Sequence, residues 1–217
     1  MTDRIGIPEW TAMLRRAAAL IRENQDVLSR LDSCGGDGDH GTTMARAMNL
    51  VEKTLNEAAC GSLAALFRDI GWAIMGVDGG ATGPLFGSLF LAMADAAESN
   101  VEGDTLDTAA LASLLEAGLA GIQKHTRARV GDKTMIDALT PATAALVQAA
   151  TEDFTVRQAL QRAADAAHQG AASTVALQAR FGRAKNLGEK SKGTEDPGAR
   201  SVALIFQGFS DGLCKET

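Results

Sequence analysis

The 217-residue sequence predicts an all-α fold, eight helices in an up-and-down antiparallel bundle or barrel, and three observations carry the all-α part. Apolar residues recur three and four positions apart through eight long segments, the period of a helix with one buried face. No segment reads convincingly as a strand. Aromatic residues are only 4% of the chain, tyrosine is absent and alanine is abundant, a composition that favours helices over sheets.

Pro8 opens the first helix, where its fixed φ and missing N–H cost nothing, and Trp10, Met13, Leu14, Ala17, Ala18 and Ile21 follow at helical spacing. Asn24 to Leu31 reads as a short helix leading into a glycine-rich loop. Thr42 to about Ala58 is the next long helix, with threonine at its start. Ser62 opens another, which carries Leu63, Leu66, Phe67, Ile70 and Ile74 on one face. Gly76 to Gly83 breaks it, and Pro84 begins a helix to Ala97. Asp104 to Asp107 start a helix ending near Gln123. Residues 126–133 form a basic connection. Helices then cover about 135–150, 155–180 and 199–213, the last two separated by a polar loop at 182–198.

No composition shift, repeat or linker divides the chain, so residues 1–217 are expected to form a single domain. Short connections favour antiparallel neighbours. In such an arrangement, loops separated by an even number of helices lie at the same end. The unusual loops at 32–43, 76–83, 126–133 and 182–198 are each two helices apart. They are therefore expected to build one composite site at one end.

The first of these loops holds the strongest chemical signal. Asp32, Asp37 and Asp39 fall within eight residues, among glycines at 35, 36, 38 and 41. Their mutual repulsion calls for a cation, and carboxylate oxygens suit Mg²⁺ or Ca²⁺ better than zinc. Offsets of five and seven residues would scatter them around a helix, whereas a loop can gather them. The helix that follows brings free N–H groups and a partial positive charge beside the loop, where phosphate binds well. Metal beside a helix N-terminus suits nucleotide binding and phosphoryl transfer. Residues 36–41 also match G-x-G-x-x-G, but a helix precedes them rather than a strand, and two acids inside the motif would repel a pyrophosphate. An EF-hand counted from Asp37 fails, with Gly41 and Thr42 at its fifth and sixth positions. A solvated acidic turn is the bland alternative.

The other loops add anion-binding groups. Gly79-Gly-Ala-Thr-Gly83 can aim backbone N–H groups at phosphate, with Thr82 adding a hydroxyl; it is not a Walker A loop, because no Gly-Lys-Ser/Thr follows. Lys133 offers a point charge and Met135 a pliable surface for a base. Asp132 or Thr134 reads as a helix cap. Arg183, Lys185, Lys190 and Lys192 can reach anions, or simply solvate their loop. His40 follows Asp39 and reads as a hydrogen-bond partner to phosphate, whereas His125 and His168 read as structural. Cys34, flanked by acids, is a poor nucleophile.

The formal net charge of −6 argues against nucleic acid or an anionic membrane as partner. No apolar run is long enough to span a membrane, and the first thirty residues lack a signal-peptide core. Three cysteines without a C-x-x-C suggest neither a disulfide framework nor a structural zinc site. A reduced, cytoplasmic, soluble protein is expected.

Taken together, Leu31-Asp-x-x-x-Gly-Asp-Gly-Asp-His-Gly41, the Gly-Gly-x-x-Gly turn at 79–83, Gly131-Asp-Lys-Thr-Met135 with Asp137-Ala-Leu and Pro141, and Gly182-Arg-Ala…Leu-Gly-Glu-Lys-Ser…Asp196-Pro-Gly resemble the nucleotide-binding L subunit of dihydroxyacetone kinases, over nearly the whole chain and in the same order. The resemblance implies an eight-helix antiparallel barrel with ADP or ATP at one end. It implies two Mg²⁺ ions held by Asp32, Asp37 and Asp39, the residues on which catalysis would rest. Nucleotide contacts carry over to His40, Gly41, Thr42, Thr43, Ala81, Thr82, Met135, Arg183, Asp196, Pro197 and Gly198. Three positions depart from the pattern. Gly35 stands where a bulkier apolar residue is expected, Ala81 where a small hydroxyl residue is expected, and Thr126 where a glycine is expected.

The implied reaction is phosphoryl transfer to a hydroxyl of a small ketose, dihydroxyacetone or a relative such as erythrulose. The family implies a separate K-type subunit that holds the ketose, and nothing in these residues resembles that half. A phosphohistidine phosphotransferase protein is the second implied partner where the nucleotide stays bound and is recharged. In the other version ATP exchanges; the length of the chain favours the linked one. A non-catalytic nucleotide-binding regulator of the same fold is the alternative.

Overall fold

A computed structural model of the chain describes residues 4–57, 61–100 and 104–213. Nine α-helices occur among them: α1 (Ile7–Glu23), α2 (Gln25–Ser33), α3 (His40–Glu57), α4 (Leu63–Met75), α5 (Thr82–Asn100), α6 (Thr108–Gln123), α7 (Ile136–Thr151), α8 (Val156–Ser173) and α9 (Pro197–Leu213). The only extended pairing in the described residues is an isolated antiparallel bridge between Ile5 and Leu106. No helix there is long and apolar enough to cross a membrane.

The eight long helices close a ring. α1 packs on α3, α3 on α4, and so on through α8 and α9, and α9 returns to α1. Short α2 lies against α3 and leads into the aspartate loop. The ring encloses one apolar core, to which every helix contributes. At its centre the Trp10 ring meets Phe67 edge-on at 4.9 Å and Phe209 at 5.4 Å, the geometry in which aromatic quadrupoles attract.

Glycines let these helices approach closely. A Cβ on Gly212 would lie 2.6 Å from the Met13 Cα, and one on Gly208 would strike the Ala17 backbone. The α1–α9 seam that closes the barrel is therefore packed on bare backbone. Gly208→Ala is expected to destabilise the fold by about 1–3 kcal/mol or more, the cost of overpacking a tight core, read as a lower denaturant midpoint with an unchanged slope.

Side-chain caps fix three of the helix starts. Ser62 accepts from the Ala65 N–H, Asp107 from Ala110, and Thr155 forms a capping box with Gln158. Three expectations need correction. α3 begins at His40 rather than Thr42, because the Asp39 carbonyl already accepts the Thr43 N–H. α5 begins at Thr82 rather than Pro84, with the Ala81 carbonyl accepting from Leu85, so Pro84 sits inside the first turn. α8 stops at Ser173 rather than near residue 180. There the Thr174 carbonyl is taken by Lys133 Nζ at 2.6 Å and its hydroxyl by the Asp196 N–H at 2.8 Å, so the chain leaves the helix through a 3-10 turn. The loop expected at 182–198 contains 3-10 structure over Arg183–Ser191. The α3 end expected near Ala58 lies outside the described residues.

Because the helices alternate in direction, α3, α5, α7 and α9 all begin at the same end. The connections that reach it are 34–39, 76–81, 124–135 and 174–196.

Candidate functional site

A cavity of about 420 Å³ opens at that end, within the range of small-ligand sites. Its walls come from all four loops. They include His40, Thr82, Ile136 and Pro197, the first residues of α3, α5, α7 and α9. Four helix N-termini thus surround one cavity, each carrying a partial positive charge suited to phosphate.

The carboxylates sit at its edge. Asp32 lies in the last turn of α2, and its backbone carbonyl accepts from Gly35 and Gly36 while its Oδ2 accepts from Gly38 at 2.9 Å. The loop is wrapped around this one side chain. A Cβ on Gly36 would collide with the Asp32 carboxylate, and Gly38 has φ of +79°. One oxygen from each of Asp32, Asp37 and Asp39 lies within 4.8 Å of the others. Three convergent hard-oxygen donors fit a divalent cation such as Mg²⁺. Arg183 forms an ion pair with Asp37, and this guanidinium holds the Asp37 carboxyl below the usual carboxylate range. Both side chains are exposed, so the pair contributes little to stability.

His40 is held from behind. Ser201 donates its hydroxyl proton to the Pro197 carbonyl at 3.0 Å and accepts from His40 Nε2 at 2.9 Å, which puts the ring proton on Nε2. Burial holds the imidazole pKa below its ordinary value despite nearby Asp32 and Asp39, which favours the neutral ring.

The structure brings Asp32, Asp37, Asp39, His40, Ala81, Thr82, Met135, Arg183, Asp196, Pro197 and Gly198 onto one cavity. Gly41, Thr42 and Thr43 do not line it. Gly41 is where α3 meets α2: a Cβ there would run into the Gln25 carbonyl and lie 2.6 Å from the Ser29 hydroxyl. Thr42 is exposed. Thr43 is buried against Gly79, and its hydroxyl has no hydrogen-bond partner among the described residues. Gly79 and Gly80 have φ of +132° and +54°, and a Cβ on Gly79 would strike the Thr43 side chain, so the turn needs glycine for both conformation and space.

Lys133 is not the free point charge expected of it. It is 5% exposed, and Nζ donates to the carbonyls of Thr174 and Thr194, tying the end of α8 to the segment before α9. Nor do Asp132 and Thr134 alone cap α7. Thr134 Oγ1 accepts from the Ile136 N–H at 3.2 Å, Asp132 accepts instead from Arg129 at 2.8 Å, and Asp137 folds the turn before the helix by accepting from Gly131 at 2.6 Å and Thr134 at 2.8 Å. Asp196 caps α9 through Ala199 at 2.7 Å, and burial pushes its carboxyl up to about 7.

Two of the three departures have local structural accounts. A Cβ on Gly35 would lie 2.7 Å from the Ala184 Cβ and 3.5 Å from Leu187 Cδ1, so the 183–191 segment fills the space a larger residue would take. Thr126 accepts from the Ala128 N–H at 3.1 Å and shapes its own turn. The sequence reading missed the apolar walls from Leu85, Phe86, Phe181 and Leu187, and His125, which also lines the cavity. The parity of the helices was the signal that could have placed His125 there.

Residues 35–211 match the DAK2 domain family. The chain is 41% identical over 186 residues to a Listeria innocua protein named "PEP-dependent dihydroxyacetone kinase 1, ADP-binding subunit DhaL", covering 86% of each. It is 34% identical to the corresponding ADP-binding subunit of Escherichia coli, covering 94% of this chain and 95% of that one. It also superposes on the dihydroxyacetone kinase of C. freundii in complex with AMP-PNP and Mg²⁺, with a TM-score of 0.71 and 30% identity over 93% of this chain. It spans 33% of that longer protein.

Proposed function

The chain belongs to the DAK2 domain family, and from that premise we propose that it is the Mg²⁺–ADP/ATP-binding, phosphoryl-carrying subunit of a two-part kinase for dihydroxyacetone or a related small ketose. The observation that carries this reading is the convergence of three carboxylates within 4.8 Å at the edge of a cavity ringed by four helix N-termini. Two Mg²⁺ ions held by Asp32, Asp37 and Asp39 would neutralise phosphate charge and align the transferred group. The chain's own residues bind and orient. The N-termini of α3, α5 and α9 receive phosphate oxygens, and neutral His40 keeps Nδ1 free as an acceptor. Met135, against which Gly198 packs, offers a soft wall to the base. Gly41, Thr42 and Thr43 act by shaping the α3 terminus rather than as walls.

A separate substrate-holding subunit supplies the ketose. The relatives matched over most of both lengths are named as PEP-dependent ADP-binding subunits, which supports a bound nucleotide recharged by a phosphohistidine protein. Titration with ADP in the presence and absence of Mg²⁺ tests the core of the reading: binding is expected only with the metal, and metal-independent binding would overturn it.

Arg183 is proposed to swing from Asp37 to the nucleotide phosphates once the carboxylates hold metal. Arg183→Ala is then expected to weaken Mg²⁺–ADP binding roughly ten- to a hundredfold, the scale of a lost charge-assisted hydrogen bond. Calorimetry showing unchanged affinity would leave Arg183 a surface residue.

A further inference from the structure

The ammonium of Lys133 is committed to backbone rather than to ligand. Its side chain is buried, and a buried charge needs strong acceptors. Nζ donates to the carbonyl of Thr174 at 2.6 Å and to that of Thr194. These two carbonyls stand at the two ends of one long excursion, the chain between α8 and α9. Three more bonds close the same neck. The Gly193 N–H donates to the Val175 carbonyl at 2.9 Å. The Asp196 N–H donates to Thr174 Oγ1 at 2.8 Å, and that hydroxyl donates in turn to the Ala171 carbonyl in the last turns of α8.

The parts that a nucleotide would touch hang from this neck. Arg183 lies within the excursion, and the Asp196-Pro197-Gly198 turn follows it directly. Gly198 packs against Met135, two positions after Lys133. Asp196 caps α9 through the Ala199 N–H, while Thr174 holds the Asp196 N–H itself. Thr174 is fully buried and does not line the cavity, so it can influence a bound ligand only through the backbone it holds. An apolar plug of similar volume would close the neck with less desolvation. Converging hydrogen bonds fix its direction and spacing as well. Without the Thr174 hydroxyl the Asp196 N–H would be left unpaired, and the turn would shift to find another acceptor.

Resting on the nucleotide-binding reading above, we propose that Lys133 and Thr174 are positioning residues for the nucleotide, which clamp the neck of the α8–α9 excursion and so hold the Asp196-Pro197-Gly198 turn against Met135 at the spacing the ligand requires. Lys133 is then a structural cation and not a phosphate contact.

The test is calorimetry of Mg²⁺–ADP binding to the full chain, at a temperature well below the melting point of every variant. Thr174→Val keeps the shape and removes the hydroxyl. Its affinity is expected to fall about five- to thirtyfold, the scale of one buried N–H left unpaired. Thr174→Ser returns the hydroxyl and should bind within about twofold of the parent. Lys133→Met should lose at least as much as Thr174→Val, and the double variant should bind about as weakly as the worse single one, because both act through one turn. A neck that served stability alone would lower the melting temperature and leave affinity unchanged, so parent-like binding by Thr174→Val overturns the proposal. Loss in Lys133→Met with none in Thr174→Val would make Lys133 a phosphate contact and overturn it as well. Losses that simply add in the double variant would overturn the shared turn. Should Lys133→Met fail to fold, Thr174→Val and its serine rescue decide the matter. A parent that binds no Mg²⁺–ADP would overturn the nucleotide reading itself, whereas a parent that binds beside unaffected variants overturns the positioning role alone.

Discussion

Mixed with ATP, Mg²⁺ and dihydroxyacetone, the purified chain alone is expected to form no sugar phosphate, and the substrate-holding subunit, with the phosphohistidine donor where the nucleotide stays bound, should restore turnover. The expected gain is on the order of 10⁵-fold or more, the scale attached to holding two reactants in register. In-line transfer needs the acceptor hydroxyl about 3 Å from phosphorus. The cavity supplies carboxylates, glycine turns, helix N-termini and apolar walls, groups that suit a metal-bound polyphosphate and a base. A small neutral triose offers neither charge nor apolar area for them to grip. Assembly should respond to changes in the loops at 34–39, 76–81, 124–135 and 174–196. It should not respond to changes in the 152–155 turn between α7 and α8, at the opposite end of the barrel. Ketose phosphorylation by the single chain would refute the two-part reading.

The fold and the place of the site were both legible, for a common reason. Helical periodicity marks each element, and an up-and-down order then fixes which loops share an end. The parity of four loops was enough to predict the composite cavity that Asp32, Ala81, Met135 and Arg183 line. What stayed hidden depends on long-range hydrogen bonds that leave no periodic trace. α8 ends at Ser173 because Lys133 and Asp196, 41 and 22 residues away, take the polar groups of Thr174. Lys133 looked like a phosphate ligand because a lysine in a glycine-containing turn reads as exposed, yet its φ of +60° accompanies a buried side chain. The aspartate loop was legible as a charge density that no local cation relieves. Its partner Arg183 comes from a segment 146 positions later, and only the folded chain brings that pair together.

Asp37→Asn is expected to abolish Mg²⁺-dependent ADP binding, lowering affinity more than about a hundredfold while leaving the helical circular dichroism intact. Asp37 supplies one of three oxygens within 4.8 Å. An amide in its place keeps the shape but removes the charge that a hard, strongly hydrated cation requires before it gives up water. Asp32 cannot compensate, because its Oδ2 already accepts the Gly38 N–H and its position is fixed by the turn it organises. Stability without metal should hardly move. Removing one carboxylate relieves repulsion from the other two, while the exposed pair with Arg183 is lost, and such a pair contributes little in water. The informative measurement is therefore a thermal shift in two conditions. Without metal the variant should melt at or slightly above the parent. With Mg²⁺ and ADP the parent should rise in melting temperature by ligand linkage, and the variant should not. A variant stabilised by Mg²⁺–ADP as much as the parent would show that the three aspartates are a solvated acidic turn and nothing more.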